Sequence, residues 1–327
     1  DDDNDGISDG NDNNPLDATI LERYTDKSGF CVSGHCDIPN RFTAIHADAF
    51  RYDNVTSVVI PDSVTSIGNY AFYDRNLTSV TLGNGVTSIG VYAFNSNNLT
   101  SLVIPESVAS IGSGAFRYNP LTELTIDNAP VSIGSDAFRD TSITNLIIPD
   151  TVTSIGDLAF YNLEIDALSL GNGVSSIGER AFDNNQISTL VIPESVTSIG
   201  NSAFRYNPLT ELTIDNAPVS IGERAFQNTQ LTELVIPDTV ISIGDYAFYD
   251  LAITALSLGY GLTAIGEQAF YNNQLTALII PESVTSIGNS AFQNNPLTEL
   301  TIDNAPVAIG NSAFRDTQLT VLDLPDT

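Results

Sequence analysis

The sequence predicts a β-solenoid, in which a short segment repeats and each copy stacks on the one before it. Its strongest sign is the pair Ala-Phe, which recurs thirteen times at intervals of 22 residues, with the first Phe at position 50 and the last at 314. Ile-Gly recurs in the same register, from Ile67-Gly68 to Ile309-Gly310. A third row reads Leu-Thr-x-Leu-x-Ile, as in residues 99–104. A fixed period of about 20 to 50 residues is typical of a solenoid or a repeat array.

Each repeat contains a strand on one side. In residues 121–126, Leu124 and Ile126 are predicted to face the interior, while Glu123 and Thr125 face solvent. Pro-Asp, Pro-Glu, Gly-Asn-Gly or Asp-Asn then turns the chain. Stacked strands lie about 4.8 Å apart, so thirteen of them predict one long parallel sheet of roughly 60 Å on a concave face.

The rest of each repeat crosses the opposite side. Val-Thr-Ser-Ile-Gly is predicted to lie there, and its glycine either takes a conformation closed to other residues or lies against a neighbouring backbone. Ala-Phe fills the interior beneath a short helical turn. Because 22 residues leave little room for a helix, we expect short turns or 3-10 segments on the convex side, and a shallow arc.

A longer sequence period is superimposed on the 22-residue repeat. Ile-Pro-Glu-Ser begins at Ile104, Ile192 and Ile280, which are 88 residues apart. This interval equals four repeats, so duplication of a four-repeat block is the simplest explanation. No repeat can bury its own apolar side chains, so stability is a sum over repeats and their interfaces.

The signature Ile-Pro-x-Ser-Val-Thr-Ser-Ile-Gly-x-x-Ala-Phe, at residues 60–72 and 280–292, resembles the BspA-like (type 5) leucine-rich repeats of bacterial surface proteins and some parasitic protists. The resemblance covers about residues 42–327 and implies a leucine-rich repeat solenoid. One departure is the third residue after the Phe, where the family often has Cys and this chain has Asn, as at Asn97 and Asn207. An inward polar side chain that hydrogen-bonds along the stack would explain that choice.

The charge excludes several kinds of partner. The chain has 40 Asp and Glu against 11 Lys and Arg, a net charge of -29. Nucleic acid and anionic membrane surfaces would be repelled. No apolar run approaches the roughly 18 residues of a membrane span, so direct membrane insertion is not expected. Methionine is absent, and we interpret the chain as a piece of a longer protein, flanked by further domains, that carries its signal peptide elsewhere.

Residues 1–15 form an acidic linker motif. Carboxylates occur at loop positions 1, 3, 5, 9 and 12, with Gly6 at the sharp turn, a spacing similar to an EF-hand calcium loop. The following Asn-Asn-Pro makes the segment resemble a thrombospondin type 3 repeat. A structural Ca²⁺ is therefore expected, with a metal-free linker as the alternative. The expected ligands are Asp1, Asp3, Asp5, the Ile7 carbonyl, Asp9 and Asp12.

Residues 16–41 are expected to form an N-terminal cap. Cys31 and Cys36 lie close together, and His35 and His46 are nearby. These four residues could bind zinc, but their spacing matches none of the usual patterns. A local Cys31–Cys36 disulfide, formed in an oxidising compartment, is the favoured alternative.

No enzymatic activity is expected. Both His and both Cys precede the regular repeats, so no Ser-His-Asp or Cys-His arrangement can form within the array, and the long loops that build active sites are missing. The outward side chains of the strands are the candidate binding surface, with Arg-Tyr pairs in the convex turns, such as Arg117-Tyr118, as an alternative. The candidate ligand-binding residues are Thr122, Glu123, Asn145, Thr210, Glu211, Thr232, Glu233 and Glu299.

Two classes of function fit this sequence. The first is an adhesion or recognition module of a secreted or surface protein, binding an extracellular protein or polysaccharide. The second is a structural spacer or a self-associating surface array without a specific ligand. Ice binding through the row of threonines is a remote third. The resemblance and the calcium motif favour the first class and a bacterial cell surface.

Overall fold

The computed structural model describes residues 19–23, 25–128, 132–215, 219–303 and 308–323. The chain is a β-solenoid of about thirteen turns. It divides into two compact units, an N-terminal unit of residues 1–164 and a C-terminal unit of residues 165–327. Within the described ranges no helix is present. The proposed calcium loop in residues 1–15 lies outside the described residues.

The described residues of the N-terminal unit contain fourteen short strands. In chain order they are β1 (Ile20–Leu21), β2 (Cys31–Val32), β3 (His35–Asp37), β4 (Ala44–Ile45), β5 (Ser57–Val59), β6 (Ser66–Ile67), β7 (Ser79–Thr81), β8 (Ser88–Ile89), β9 (Ser101–Ile104), β10 (Ser110–Ile111), β11 (Glu123–Ile126), β12 (Ser132–Ile133), β13 (Asn145–Ile147) and β14 (Ser154–Ile155).

The C-terminal unit continues the same alternation of a longer and a shorter strand. Its strands are β15 (Ala167–Ser169), β16 (Ser176–Ile177), β17 (Thr189–Ile192), β18 (Ser198–Ile199), β19 (Glu211–Ile214), β20 (Ser220–Ile221), β21 (Glu233–Val235), β22 (Ser242–Ile243), β23 (Ala255–Ser257), β24 (Ala264–Ile265), β25 (Ala277–Ile280), β26 (Ser286–Ile287), β27 (Glu299–Ile302), β28 (Ala308–Ile309) and β29 (Val321–Asp323).

The predicted long parallel sheet is present, but the two-residue Ser-Ile segments build it. We call it the Ser-Ile sheet. In the N-terminal unit it runs β1, β4, β6, β8, β10, β12, β14, and in the C-terminal unit the even strands β16 to β28 follow the same order. Pairing is parallel and in register, so Ser110 lies beside Ser88 and Ser132. The isoleucines of these pairs are buried from Ile45 to Ile287, as Ile111 is, whereas Ile309 in β28 is exposed.

The longer strands, by contrast, form short separate sheets. In the N-terminal unit β9 pairs with β11, and in the C-terminal unit β17 pairs with β19 and β21 with β23. No backbone ladder connects β7 to β9, and none connects β19 to β21. The predicted single sheet on this side is therefore wrong in its continuity: the ladder is interrupted before β9, β13, β17, β21 and β25, whereas β3–β5–β7 and β25–β27–β29 run without a break.

Proline accompanies the breaks. The strand that follows each break, from β9 to β25, ends in Ile-Pro, with prolines at positions 105, 149, 193, 237 and 281, always 44 residues apart; Pro61 also follows a strand, β5, but that strand is paired with β3. Within a pair, the N–H of Asp127 donates to the carbonyl of Ile104 one turn earlier, at 3.0 Å. One turn later the equivalent residue is Pro149, which has no N–H and cannot donate to Ile126. The structural unit is therefore two turns long.

The core consists of stacked identical side chains. Ala and Phe of the repeated pair are fully buried from Ala49-Phe50 to Ala291-Phe292. Successive rings are nearly parallel, with Phe94 and Phe116 centroids 5.3 Å apart and Phe204 and Phe226 centroids 5.6 Å apart. Each ring covers the next, so the aromatic column has no surface of its own except at its ends.

The asparagine three residues after the Phe is buried and hydrogen-bonded, as predicted. Asn119 Nδ2 donates to the carbonyls of Phe94 and Phe116, both at 2.9 Å, and its Oδ1 accepts from the N–H of Leu99 at 3.1 Å. One side chain thus satisfies backbone groups of two successive turns. We call this set the asparagine ladder. Its buried members are Asn97, Asn119, Asn185, Asn207, Asn273 and Asn295.

The repeated glycine lies against the backbone of the preceding turn, which was one of the two predicted explanations. A Cβ on Gly112 would meet the carbonyl carbon of Gly90 at 2.6 Å. On Gly222 it would meet the carbonyl carbon of Gly200 at 2.7 Å. Contacts this short exclude any side chain, so close packing of neighbouring turns requires glycine here.

The N-terminal cap is a small hairpin. Cys31 and Cys36 face each other across the antiparallel pair β2–β3 and form a disulfide, so their sulfurs are not available to zinc. The strand β3 then pairs with β5 and starts the series of longer strands. Behind the hairpin, Lys27 lies 5.1 Å from the Phe50 ring centroid and 3.2 Å from an Asp53 carboxylate oxygen. The cap therefore covers the first ring of the aromatic column with a buried cation.

Candidate functional site on the strand face

The outward side chains of the longer strands form the candidate site, which we call the strand face. Each turn contributes three positions, exemplified by Thr122, Glu123 and Thr125, and all three side chains are exposed. The first position is almost always threonine. The second varies between Ser, Glu, Asn, Ala, Thr and Val, so it is the position at which one turn differs most from another.

The threonine row extends the backbone ladder. Thr122 Oγ1 donates to the carbonyl of Thr100 at 3.2 Å, and Thr210 Oγ1 to the carbonyl of Ser188 at 3.2 Å. The same carbonyl also accepts the backbone N–H of the donating threonine. Because these hydroxyl protons are used within the molecule, the row acts first as a structural element. This use of the protons weakens the ice-binding hypothesis.

A second threonine row, which the sequence reasoning missed, flanks the Ser-Ile sheet. Thr87 Oγ1 donates to the carbonyl of Thr65 at 2.9 Å, and Thr285 Oγ1 to the carbonyl of Thr263 at 3.1 Å. The signal was present in the recurring Val-Thr-Ser-Ile-Gly. Threonine at the start of both strand types therefore reflects stacking and does not by itself indicate a ligand.

The acidic candidates are exposed and lie on neighbouring turns. Glu123 and Asn145, on successive turns of the N-terminal unit, line one shallow depression together with Thr122, Thr125 and Ile147. This depression lies at the break between β11 and β13.

In the C-terminal unit, Glu211 and Glu233 occupy successive turns, beside Thr210 and Thr232, at the equivalent break between β19 and β21. Glu299 is also exposed but lies three turns further on. The structure thus brings the predicted residues together in two groups and leaves Glu299 apart from both.

The third position alternates from Val59 to Thr301, a feature that the sequence reasoning missed, and only Asp323 in β29 departs from the pattern among the described strands. Val or Ile occupies the first strand of each pair, and Thr or Ser occupies the second. We call the apolar members the apolar row. It comprises Val59, Val103 and Ile147 in the N-terminal unit and Val191, Val235 and Ile279 in the C-terminal unit. The three of the C-terminal unit are 52 to 65 % exposed. The 44-residue interval of the prolines would have revealed this row.

A row of carboxylates accompanies the apolar row. Three residues after each apolar residue, the turn that follows Ile-Pro carries an exposed acid. We call these the turn carboxylates. They are Asp62, Glu106 and Asp150 in the N-terminal unit and Glu194, Asp238 and Glu282 in the C-terminal unit. Asp62 and Asp238 each accept the backbone N–H of the residue 22 positions later, at 2.7 and 2.8 Å.

The arginines of the repeats lie on another side, in the turns around Ala-Phe. Arg205 pairs with the fully buried Asp183 at 2.9 Å and lies 4.8 Å from the ring centroid of Tyr206. Arg117 likewise lies 4.4 Å from the centroid of Tyr118. Because these cations already contact an aromatic ring or an acid, the alternative Arg-Tyr contact face is largely engaged within the chain.

Two tyrosines on that side have perturbed acidity. Burial raises the pKa of Tyr246, and a hydrogen bond from its hydroxyl to Glu267, at 3.2 Å, adds to the effect. Burial also raises the pKa of Tyr249, whose ring stacks on Tyr271 at 5.1 Å. Both shifts favour the neutral phenol and mark packing rather than a nucleophile.

The described part of the chain offers no cluster of metal ligands. There, no group of three or more His, Cys, Asp or Glu is arranged to hold a metal ion. The described part also contains no helix long and apolar enough to cross a membrane. What the strand face offers is therefore an extended surface of aliphatic, hydroxyl and carboxylate groups.

Stacked solenoid turns of this kind, each with buried aliphatic side chains and one variable outward face, define a leucine-rich repeat solenoid. The family model of the BspA type leucine-rich repeat region matches residues 43–143, 131–251 and 219–327, in six copies, and the chain belongs to this family. Family and fold are typical of non-enzymatic scaffolds that bind proteins. None of the curated proteins matches the chain.

One solved structure supports the fold, and two further matches have lower structural similarity. A leucine-rich repeat protein from Bacteroides ovatus is 21% identical, with 86% of this chain and 84% of that chain covered and a TM-score of 0.59. The pneumococcal vaccine antigen PcpA is 19% identical, with 94% and 82% covered and a TM-score of 0.49. A leucine rich cell surface protein from Faecalibacterium prausnitzii is 22% identical, with 94% and 90% covered and a TM-score of 0.42.

Proposed function

We propose that this chain is a recognition or adhesion module of a secreted or cell-surface bacterial protein, and that it binds an extended extracellular protein through the strand face. The observation that carries the proposal is the exposed apolar row beside Glu123, Glu211 and Glu233. Solvent-exposed Val and Ile repeated at a fixed interval form a surface that a partner can cover. Solenoids of this class use such extended faces for binding.

A protein suits this face better than a polysaccharide. The described strand-face positions carry no aromatic ring on which a sugar could stack, and Tyr260 lies only at the turn beside β23. Branched aliphatic side chains with flanking carboxylates instead match a polypeptide with apolar and basic groups. A purely structural spacer stays the second candidate, since both threonine rows serve the stack itself.

The remaining features fit an extracellular setting. The Cys31–Cys36 disulfide is the kind that persists in oxidising compartments. We further propose that Asp1, Asp3, Asp5, Ile7, Asp9 and Asp12 hold a structural Ca²⁺ that stiffens a linker to an upstream domain. Isothermal titration with Ca²⁺ tests this second proposal, and Asp5→Asn with Asp12→Asn should abolish the binding. No heat of binding in the parent chain would contradict it.

The experiment for the main proposal is binding of the 327-residue chain to an array of matrix proteins and polysaccharides, with Ca²⁺ and with chelator. A saturable protein hit that Glu211→Gln with Glu233→Gln weakens would support recognition through the strand face. The matched control is Glu179→Gln with Glu223→Gln, which removes two carboxylates from turns after the Ser-Ile sheet. No hit above background, or equal loss in both variants, would refute the proposal and favour the spacer.

A further inference from the structure

The breaks between strand pairs open the strand face toward the core. The inward leucine of a strand that precedes a break is only half-buried, as Leu124 and Leu256 are, whereas Leu146 and Leu278 beyond those breaks are buried. Leu300 in β27, which pairs onward with β29, is also buried. Continued pairing therefore covers this leucine, and a break uncovers it. The breaks after β11 and β23 each form a shallow depression.

The depression between β23 and β25 is the more apolar of the two. At the break after β11 the second strand-face positions are Glu123 and Asn145, whereas after β23 they are Ala255 and Ala277. The volume of the depression after β23 is about 290 Å³, and Leu256, Leu258, Tyr260, Ala277, Ile279 and Pro281 are among its lining residues. None of the described residues that line it is charged. We call it the Tyr260 depression.

Tyr260 occupies a position that is otherwise asparagine. The second strand of the other pairs is followed by Asn at positions 84, 128, 172, 216 and 304. The N–H of Tyr260 donates to Asp238 Oδ1 at 2.8 Å, and a Cβ on Gly261 would overlap the Asp238 carbonyl oxygen, so the turn is held against the preceding one. Tyr260 is 67 % exposed and lines the depression together with Ile279, which is 60 % exposed. Its ring is therefore presented to a partner on a turn that is already ordered.

The lining and the surrounding charge select the chemistry of the occupant. An apolar cavity of about 150 Å³ already holds a benzene ring, so this depression has room for a phenylalanine or tryptophan side chain. An aromatic ring would also pair with Tyr260, and such pairs are attractive beyond the area that they bury. The turn carboxylates Asp238 and Glu282 are exposed on the two neighbouring turns, and residues 225–314 contain neither lysine nor arginine. A basic residue beside the aromatic one would complement this negative charge.

We propose that the Tyr260 depression binds an aromatic side chain, next to a basic residue, of the protein that the strand face recognises. The inference rests on the proposed function, since it names the anchor by which that partner is held. Aromatic side chains seated in a pocket usually dominate the energy of an interface. Tyr260 and Ile279 are thus the residues that distinguish this pair of turns from the other pairs.

Peptide fluorescence tests this proposal. The chain contains no tryptophan, so tryptophan emission reports on the probe alone. Titrating acetyl-Lys-Trp-Lys-amide with the 327-residue chain should shift the emission to the blue and saturate. Acetyl-Glu-Trp-Glu-amide should bind at least tenfold more weakly, and acetyl-Lys-Ala-Lys-amide in tenfold excess should not displace the first peptide. Displacement by an equal concentration of the alanine peptide would overturn the proposal, because charge alone would then account for the affinity.

Variants locate the contact. Tyr260→Asn supplies the residue of the equivalent turns and Ile279→Thr that of the alternate turns, and each should weaken binding of acetyl-Lys-Trp-Lys-amide at least tenfold. The matched control is Ile241→Thr, because Ile241 is 48 % exposed in the same unit but flanks the Ser-Ile sheet. The control should bind like the parent, with circular dichroism confirming that all three variants fold. Unchanged binding by Tyr260→Asn would overturn the assignment of the site.

The array experiment separates this inference from the proposed function. If matrix proteins bind in a manner that depends on Glu211 and Glu233 but the tryptophan peptide does not bind, this inference fails and the proposed function stands. If neither binds, both fail. A matrix protein whose binding Tyr260→Asn weakens and Ile241→Thr does not would support both.

Discussion

Replacing one member of the asparagine ladder should destabilise the solenoid strongly. Asn207 is 1 % exposed, and its Nδ2 donates to the carbonyls of Phe182 and Phe204 at 2.9 and 3.0 Å. Its Oδ1 accepts from the N–H of Ile187 at 3.1 Å. Asn207→Ala removes three short hydrogen bonds from buried backbone groups of two turns. At about 1 to 1.5 kcal/mol each, the expected loss in unfolding free energy is about 3–5 kcal/mol.

A series of substitutions at Asn207 separates the cost of losing hydrogen bonds from the cost of losing side-chain volume. Thr141 occupies the same position in another repeat, where its Oγ1 donates to the Phe138 carbonyl at 2.9 Å. Asn207→Thr should therefore keep one of the three bonds and cost about 2–3 kcal/mol. Asn207→Asp loses both donors and buries a charge, so it should cost more than alanine at neutral pH. The exposed Asn145→Ala is the control, expected within about 0.5 kcal/mol of the parent.

Urea unfolding followed by far-ultraviolet circular dichroism measures the series, with the midpoint and slope of each curve giving the free energy. The expected order of stability is parent, then Thr, then Ala, then Asp. A cost below about 1 kcal/mol for Asn207→Ala, close to that of the surface control, would refute the argument. In that case the backbone groups of Phe182, Phe204 and Ile187 would be satisfied in another way.

Three further predictions concern the core and the cap. Phe204→Ala should cost about 3–5 kcal/mol, because the ring is fully buried and stacked on both sides, and an unchanged urea midpoint would contradict its place in the core. Gly222→Ala should cost about 1–3 kcal/mol in the same assay, since its Cβ would lie 2.7 Å from the carbonyl carbon of Gly200; a neutral effect would mean that the turns separate easily. Burial lowers the pKa of Lys27 below 10.5, against the opposing effect of Asp53. The folded chain therefore holds this proton less tightly than the unfolded chain, so the contribution of Lys27 to unfolding free energy should rise with pH from its lowered pKa toward 10.5. Urea midpoints between pH 7 and 10 should show that rise in the parent and lose it in Lys27→Met; identical pH profiles would contradict the assignment.

The sequence was sufficient to predict the main packing features that depend on a single turn. The 22-residue interval, the buried Phe and the hydrogen-bonded Asn207 all follow from what one repeat must bury and satisfy. The contact of Gly112 with the preceding backbone was one of two open explanations, and coordinates were needed to choose between them. Exposure of the predicted ligand-binding residues, such as Glu211 and Asn145, also follows from strand alternation.

Features that depend on two successive turns were missed. Pro149 and its equivalents were interpreted only as turn residues, although each lacks the N–H that would extend the ladder to the preceding turn. The long sheet was consequently assigned to the wrong segments, because two-residue strands such as Ser110–Ile111 carry too little pattern to be recognised as strands. The ligand-binding role of the strand face stays a prediction, since exposure alone does not distinguish a binding surface from a solvated one.

The proline-terminated strand pairs also constrain how such a chain can change its length. Removing one 22-residue repeat, for example residues 199–220, would place Val191 and Val235 on adjacent turns and join two strands that both end in Ile-Pro. Removing 44 residues would leave every pair intact. Viable insertions and deletions in this array should therefore come in even numbers of repeats, and the 88-residue duplication obeys that parity.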